Sequence, residues 1–145
     1  MTDGGIYFSE RGDELKKFNT QDGYGIAKLR KQGVTIGIVS GRSSGTVARR
    51  AQELGITEVY QNVENKLDAY EGIKKKLDLR DEAVAYVGDD EPDIPILDKV
   101  GFAACPANAA ATVRRRADFV CKNRGGEGAV REVVDLILQS HFHGA

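Results

Sequence analysis

The period of hydrophobicity switches back and forth along this chain: short runs that are apolar throughout alternate with longer segments whose apolar residues recur every three or four positions. The first kind reads as strands buried on both faces, the second as the helices that cover them. Strand runs fall at 34–39, 58–61, 83–87, 100–104 and 119–121. A helix is predicted over 22–32, with Asp22 as its cap, Ile26 and Leu29 on one face and Gly33 as its stop. Another begins at Ser43 or Ser44, carries Val47, Ala51 and Leu54, and ends at Gly55. Further helices are expected over 66–77, 94–97, 108–116 and 129–139. This alternation predicts an α/β fold, a Rossmann-like three-layer arrangement of parallel strands with helices on both faces, in a single domain over 1–145.

The amino end departs from that rhythm. Apolar or aromatic runs at 5–8 and 15–18 flank Ser9-Glu10-Arg11-Gly12-Asp13, which predicts a protruding β-hairpin over 5–18. Ile6, Phe8, Leu15 and Phe18 have little core nearby, so they are expected to pack against other subunits. Ahead of the hairpin stands only Met1-Thr2-Asp3-Gly4-Gly5, with no strand run before it.

Charge excludes some partners. The 21 basic and 22 acidic residues are interspersed and give a net charge of -1, so no field would gather nucleic acid or an anionic membrane. No apolar stretch approaches the ~20 residues of a bilayer span, which predicts a soluble protein. Cys105 and Cys121 lack metal-type spacing and no secretory signal precedes them, so buried thiols in a reducing cytoplasm are expected.

In parallel sheets ligands sit beyond the carboxyl ends of the strands, so the polar residues that end each run are the candidates for chemistry. Ser40 follows the 34–39 run and precedes Gly41 and Arg42: a hydroxyl, a permissive backbone and a guanidinium that can face one phosphate. Gly88-Asp89-Asp90 ends the 83–87 run, and Asp93 follows. Three carboxylates so close repel one another unless a cation or donor compensates, and Mg²⁺ suits them, because it needs only one or two carboxylates beside water and a substrate phosphate. Asp90 or Asp93 can instead cap the short helix at 94–97. Lys66 opens a helix, the end that the macrodipole makes unfavourable for a cation, which hints at another duty.

Taken in chain order, Ser40, Lys66 and Gly88-Asp89-Asp90 resemble motifs two, three and four of the haloacid dehalogenase superfamily of phosphatases. The likeness narrows over Asp3-Gly4-Gly5-Ile6-Tyr7, Leu15-Lys16-Lys17-Phe18-Asn19, Asp22-Gly23-Tyr24-Gly25-Ile26, Ser40-Gly41-Arg42, Tyr60-Gln61 and Lys66. It continues through Val87-Gly88-Asp89-Asp90 and Gly125-Gly126-Glu127-Gly128-Ala129-Val130-Arg131-Glu132. Together these are similar to the 3-deoxy-D-manno-octulosonate 8-phosphate (KDO 8-phosphate) phosphatase family; phosphatases of nine-carbon sugar acids and the carboxy-terminal domain of animal CMP-sialate synthetases look much alike.

The resemblance implies hydrolysis of a sugar-acid phosphate, as in lipopolysaccharide biosynthesis, through an aspartyl-phosphate with Mg²⁺ as cofactor, in a homotetramer built from such hairpins. It implies catalytic roles for Ser40 and Lys66, the first binding phosphate and the second bridging it to the nucleophile. Asp89 would be the metal ligand, with Asp90 and Asp93 orienting the site. Gly41, Arg42 and Asp22, with the loop at 125–131, would contact substrate. The family's first motif, Asp-x-Asp-Gly-x-x-Thr-Asp-Gly, is matched here only by its last residues, with Asp3 at the later Asp-Gly. Both catalytic aspartates and a central strand are therefore expected ahead of Met1, and the chain by itself is expected to be inactive, with two strand edges open. A late start, a catalytically dead relative serving as an assembly or regulatory module, or a strand supplied by another chain would each account for this. His141 and His143 near the end can in principle share a transition metal, but a frayed terminus is expected there.

Overall fold

The computed structural model describes residues 1–143. A short hairpin comes first, β1 (Tyr7–Phe8) and β2 (Glu14–Leu15), pairing antiparallel with Tyr7 opposite Leu15 and Phe8 opposite Glu14. The ladder is shorter than the two apolar runs, and Ile6, Tyr7, Phe8 and Leu15 are all exposed. The body follows as α1 (Thr20–Lys31), β3 (Gly37–Val39), α2 (Gly45–Glu53), β4 (Glu58–Tyr60), α3 (Lys66–Leu77), β5 (Ala85–Val87), α4 (Ile94–Leu97), β6 (Phe102–Cys105), α5 (Ala111–Arg114), β7 (Phe119–Val120) and α6 (Ala129–Leu138).

The body strands pair in parallel, as continuous apolar runs separated by helices require. Among the described residues they form two sheets, β3–β4 and β5–β6–β7, so β3 and β5 each pair along one edge. That explains why Ile38, Val39, Tyr86 and Val87 are only half-buried, where continuous runs predict full burial. The 34–39 run also narrows to the three residues of β3.

The larger sheet is covered on both faces. Along β6, Ala103 and Cys105 point into a cluster with Leu97, Ala109 and Val113, beneath α4 and α5. Ala104 joins Cys121, Ala129 and Val133 on the other face, beneath α6. Three small residues in succession let both helical layers approach closely. The two thiols are buried and unpaired, and the alternation of the strands sends them to opposite faces. On its outer side α6 packs Val134 and Leu138 against Leu29 of α1.

Two helix boundaries differ from expectation. Asn19, not Asp22, caps α1: its side-chain oxygen accepts the N–H groups of Gln21 (2.9 Å) and Asp22 (3.2 Å). An Asn three residues before Asp22 supplies the same acceptor, and the helix gains a half-turn. The helix expected over 108–116 is only Ala111–Arg114, because the preceding segment turns back to donate the Ala110 N–H to the Asp89 carbonyl (2.9 Å). At the carboxy end a π-helical turn runs over Gln139–His143, where a frayed tail was expected. Ser140 Oγ lies 2.8 Å from His141 Nδ1, and the side chain of His143 lies outside what the structure describes.

Candidate active site

The polar residues that end β3 and β5 meet the start of α3. After β3, Ser40 donates its N–H to the Tyr60 carbonyl (2.9 Å), and its hydroxyl accepts the N–H of Arg42 (3.2 Å). Its carbonyl accepts Val63 N–H (3.1 Å) and the Arg42 carbonyl accepts Asn62 N–H (3.2 Å). The loop carrying Ser40, Gly41 and Arg42 is thus laced to the segment that leads, three residues on, into Lys66. Arg42 also reaches the hairpin, its guanidinium 3.6 Å from Glu14.

Lys66 is the first residue of α3, whose cap is Asn65. Its unfavourable place on the helix dipole is offset by a short ion pair, Nζ to Asp93 Oδ1 at 2.7 Å. Asp93 is the hub of the site, 2% exposed and holding four donors. Oδ1 takes Lys66 and the Tyr86 hydroxyl, each at 2.7 Å, while Oδ2 takes the N–H groups of Asp89 (3.0 Å) and Asp90 (3.2 Å). Burial alone would push this carboxyl up; the contacts with Lys66 and Tyr86 outweigh it and hold the group below its ordinary range. Gly88 makes the approach possible, since a β-carbon there would lie 2.5 Å from that of Asp93.

Asp90 is exposed, and its side chain accepts the Glu91 N–H (2.8 Å), opening a short 3₁₀ turn over Glu91–Asp93. Asp89 is in a different state. Its carboxyl is pushed up, first by burial and then by the neighbouring Asp93 carboxylate, with Lys66 offsetting only part. A half-buried carboxylate repelled by its neighbour is what a divalent cation relieves, so Asp89 fits a Mg²⁺ ligand. No cluster of three or more His, Cys, Asp or Glu among the described residues could hold a metal, so the ion would take one carboxylate from this stretch and its other ligands from elsewhere.

Asp22 is buried, but its Oδ1 accepts the N–H of Arg131 at 2.9 Å. It therefore caps the first turn of α6, whose own cap position, Gly128, has no side chain. Asp3 serves a turn: its oxygens accept the Gly5 N–H (2.9 Å) and the Tyr7 hydroxyl (2.6 Å). The glycine-rich loop packs on the same amino-terminal segment, because a β-carbon at Gly125 would sit 2.5 Å from the Thr2 carbonyl oxygen.

Lys66, Asp89, Asp90 and Asp93 thus form one cluster. Ser40, Gly41 and Arg42 lie on the loop bonded to Asn62 and Val63, the segment that leads into Lys66, while Asp22 stands at the α1–α6 contact. Two shallow clefts along α6, of about 280 and 500 Å³, are lined by neither Ser40, Lys66 nor Asp89. Sequence reading missed Tyr86. The available signal was a lone tyrosine in an otherwise aliphatic run, whose buried hydroxyl must find a partner.

Residues 14–101 match the haloacid dehalogenase-like hydrolases. The 3-deoxy-D-manno-octulosonate 8-phosphate phosphatase KdsC of Escherichia coli (strain K12) is 45% identical over 138 residues, spanning 95% of this chain and 73% of that enzyme. A probable YrbI family phosphatase from Pseudomonas syringae pv. phaseolica 1448a superposes with a TM-score of 0.95 at 46% identity, over 99% of this chain and 81% of that one. The 3-deoxy-D-manno-octulosonate 8-phosphate phosphatase of Moraxella catarrhalis, solved with a magnesium ion, a phosphate ion and a KDO molecule, gives 0.93 at 41% identity, over 96% and 80%. With Ser40, Lys66 and Asp89 in the family's order and this likeness along nearly its whole length, the chain belongs to the haloacid dehalogenase-like hydrolases and, within them, to the KDO 8-phosphate phosphatase family.

Proposed function

We propose that this chain carries the phosphate-binding and metal-binding part of a Mg²⁺-dependent phosphatase for a sugar-acid phosphate, KDO 8-phosphate being the substrate its relatives' names support best. The observation that carries the reading is the Lys66–Asp93 ion pair set against the crowded Asp89 carboxyl. An anionic nucleophile can approach a phosphate dianion only if charge is neutralised. Lys66 would supply one positive charge, and Ser40 a hydroxyl to an equatorial phosphate oxygen. Asp89 would hold Mg²⁺, which when bound supplies the remaining positive charge. Asp90 and Asp93 would keep Lys66 and Asp89 in place. Arg42 and Gly41, on the loop tied to the hairpin, would meet the sugar-acid end of the substrate.

The reaction needs a nucleophilic carboxylate in addition to these groups. Asp3 is occupied in its turn, and β3 and β5 each have an edge open to a further strand. In this chemistry that carboxylate attacks phosphorus as the bond to the sugar oxygen breaks, and the leaving oxygen takes a proton from a second carboxylic acid. Water then attacks the aspartyl-phosphate and frees inorganic phosphate. The exposed side chains of the hairpin fit a homotetramer, and the buried thiols fit a reducing cytoplasm.

The test is phosphate release from KDO 8-phosphate and its nine-carbon analogues, with this chain alone and with a form extended upstream by an Asp-x-Asp strand. Turnover by the extended form that is lost with Asp89→Ala is the expected result. Inactivity of that form on every substrate would leave the non-catalytic assembly module instead.

A further inference from the structure

Tyr86 lies in the middle of β5, paired with Ala103, and its ring is packed against the cluster of Leu97, Ala103 and Val113. Only its hydroxyl leaves the apolar surroundings, and it donates to Asp93 Oδ1 at 2.7 Å. Lys66 Nζ contacts that same oxygen at the same distance. The two donors divide one acceptor, while the other Asp93 oxygen is held by backbone N–H groups from the loop that presents Asp89. An ammonium has three donors and a flexible stem, so its position is set by what its partner allows. A carboxylate free to turn toward Lys66 would draw the ammonium in and keep it.

We propose that Tyr86 is a positioning residue for phosphate binding: by sharing Asp93 Oδ1 it fixes the carboxylate and keeps the Lys66 ammonium turned outward to the substrate phosphate. This deepens, and rests on, the reading of Lys66 as a phosphate-binding group. Burial pushes the Tyr86 hydroxyl well above its ordinary range, so it stays a donor wherever the enzyme works. Its hydroxyl bonds to Asp93, so its influence passes through Asp93 and Lys66.

The test is a double-mutant cycle on the binding of inorganic phosphate at saturating Mg²⁺, measured by calorimetry on the chain itself, with Tyr86→Phe, Lys66→Met and the pair. Tyr86→Phe keeps the ring in its apolar site, and a melting temperature within a few degrees of the parent verifies that the fold is intact. The expected result is roughly 3- to 10-fold weaker phosphate binding in Tyr86→Phe, the worth of one net hydrogen bond. No further loss is expected when the change is added to Lys66→Met. A merely structural tyrosine would lower both affinities by the same factor, and that additive outcome overturns the proposal. So does an unchanged affinity in Tyr86→Phe while Lys66→Met loses it. If Lys66→Met binds phosphate as the parent does, the reading of the site falls and this inference falls with it. Should Tyr86→Phe not fold, the carboxylate can be probed from its other side: Asp93→Asn draws the ammonium less, so phosphate binding should be kept or strengthened while Lys66 is present, and a loss of the same factor with and without Lys66 overturns the proposal.

Discussion

Asp89 and Asp93 are the same residue type four positions apart, yet their surroundings drive them in opposite directions. Asp93 is ringed by donors and stays ionised; Asp89 is partly desolvated beside that charge and is pushed up. A carboxyl raised in the folded state contributes stability that is complete below the ordinary carboxylate range and is lost as pH rises through the folded value, so at neutral pH ionised Asp89 opposes folding. Asp89→Asn should therefore melt above the parent in chelator at pH 7, on the order of 1 kcal/mol or about 2–4 °C, with the gap closing as the pH is lowered toward ~4. Adding Mg²⁺ should reverse the order, since the parent gains about 2.7 kcal/mol at a hundredfold excess over its dissociation constant and the variant nothing. Differential scanning calorimetry with and without Mg²⁺ reads both, and a parent indifferent to Mg²⁺ would remove Asp89 as its ligand. Lys66→Met leaves Asp93 with the Tyr86 hydroxyl and two N–H groups. Its cost, read from the denaturant midpoint, should be about 1–3 kcal/mol and not the ~3–5 of a charge stranded without partners.

The helices and strands show what local sequence can and cannot announce. Ser44 caps α2 and Asn65 precedes α3, each a residue whose short polar side chain satisfies the first free N–H groups, and such signals are legible because they act within three residues. Asp22 looked like a signal of the same kind and was not, because its partner is the N–H of Arg131, 109 residues away. The Ser40, Lys66 and Asp89 order was readable while Tyr86 was not: strand ends recur in sequence, but a hydroxyl that meets Asp93 only after the chain turns beyond β5 leaves no more than the oddity of a tyrosine among aliphatics. The division of the body strands into two sheets is likewise a matter of pairing, on which the apolar runs are silent. The cap across α1 and α6 can be measured. Asp22→Ala should cost about 1 kcal/mol and speed hydrogen exchange at the Arg131 amide, while Asp22→Asn keeps the acceptor. Burial pushes the Asp22 carboxyl up, with the Arg131 amide offsetting only part, so by the same sign its ionised form costs stability at neutral pH. Asp22→Asn should then be neutral or slightly stabilising at pH 7; a loss as large as that of Asp22→Ala would show that charge, not the hydrogen bond, matters there.

Across the whole molecule the unresolved tension is surface. Ile6, Tyr7, Phe8 and Leu15 are between 47% and 64% exposed on a hairpin of two residue pairs, a structure that is marginal in water by itself. Two ion pairs tie the base of that hairpin to the site: Glu14 with Arg42, and Lys17 with Glu127 in the glycine-rich loop (3.2 Å). Exposed pairs of this kind contribute at most about 1 kcal/mol each, too little to order the hairpin. Burying its apolar side chains against other copies of the chain would supply what is missing and would also steady the Arg42 loop. If the hairpins assemble into the proposed homotetramer, the parent should sediment as one species of four chains at micromolar concentration, with a melting temperature that rises with concentration. Phe8→Glu together with Leu15→Glu places two charges where apolar contact is required and touches nothing in the Lys66–Asp93 cluster. That variant should sediment as a smaller species whose melting temperature no longer depends on concentration, while its affinity for inorganic phosphate drops only as far as the Arg42 loop depends on the hairpin. A parent that sediments as a monomer under the same conditions would remove the assembly, and with it the reason for keeping four large apolar side chains in water.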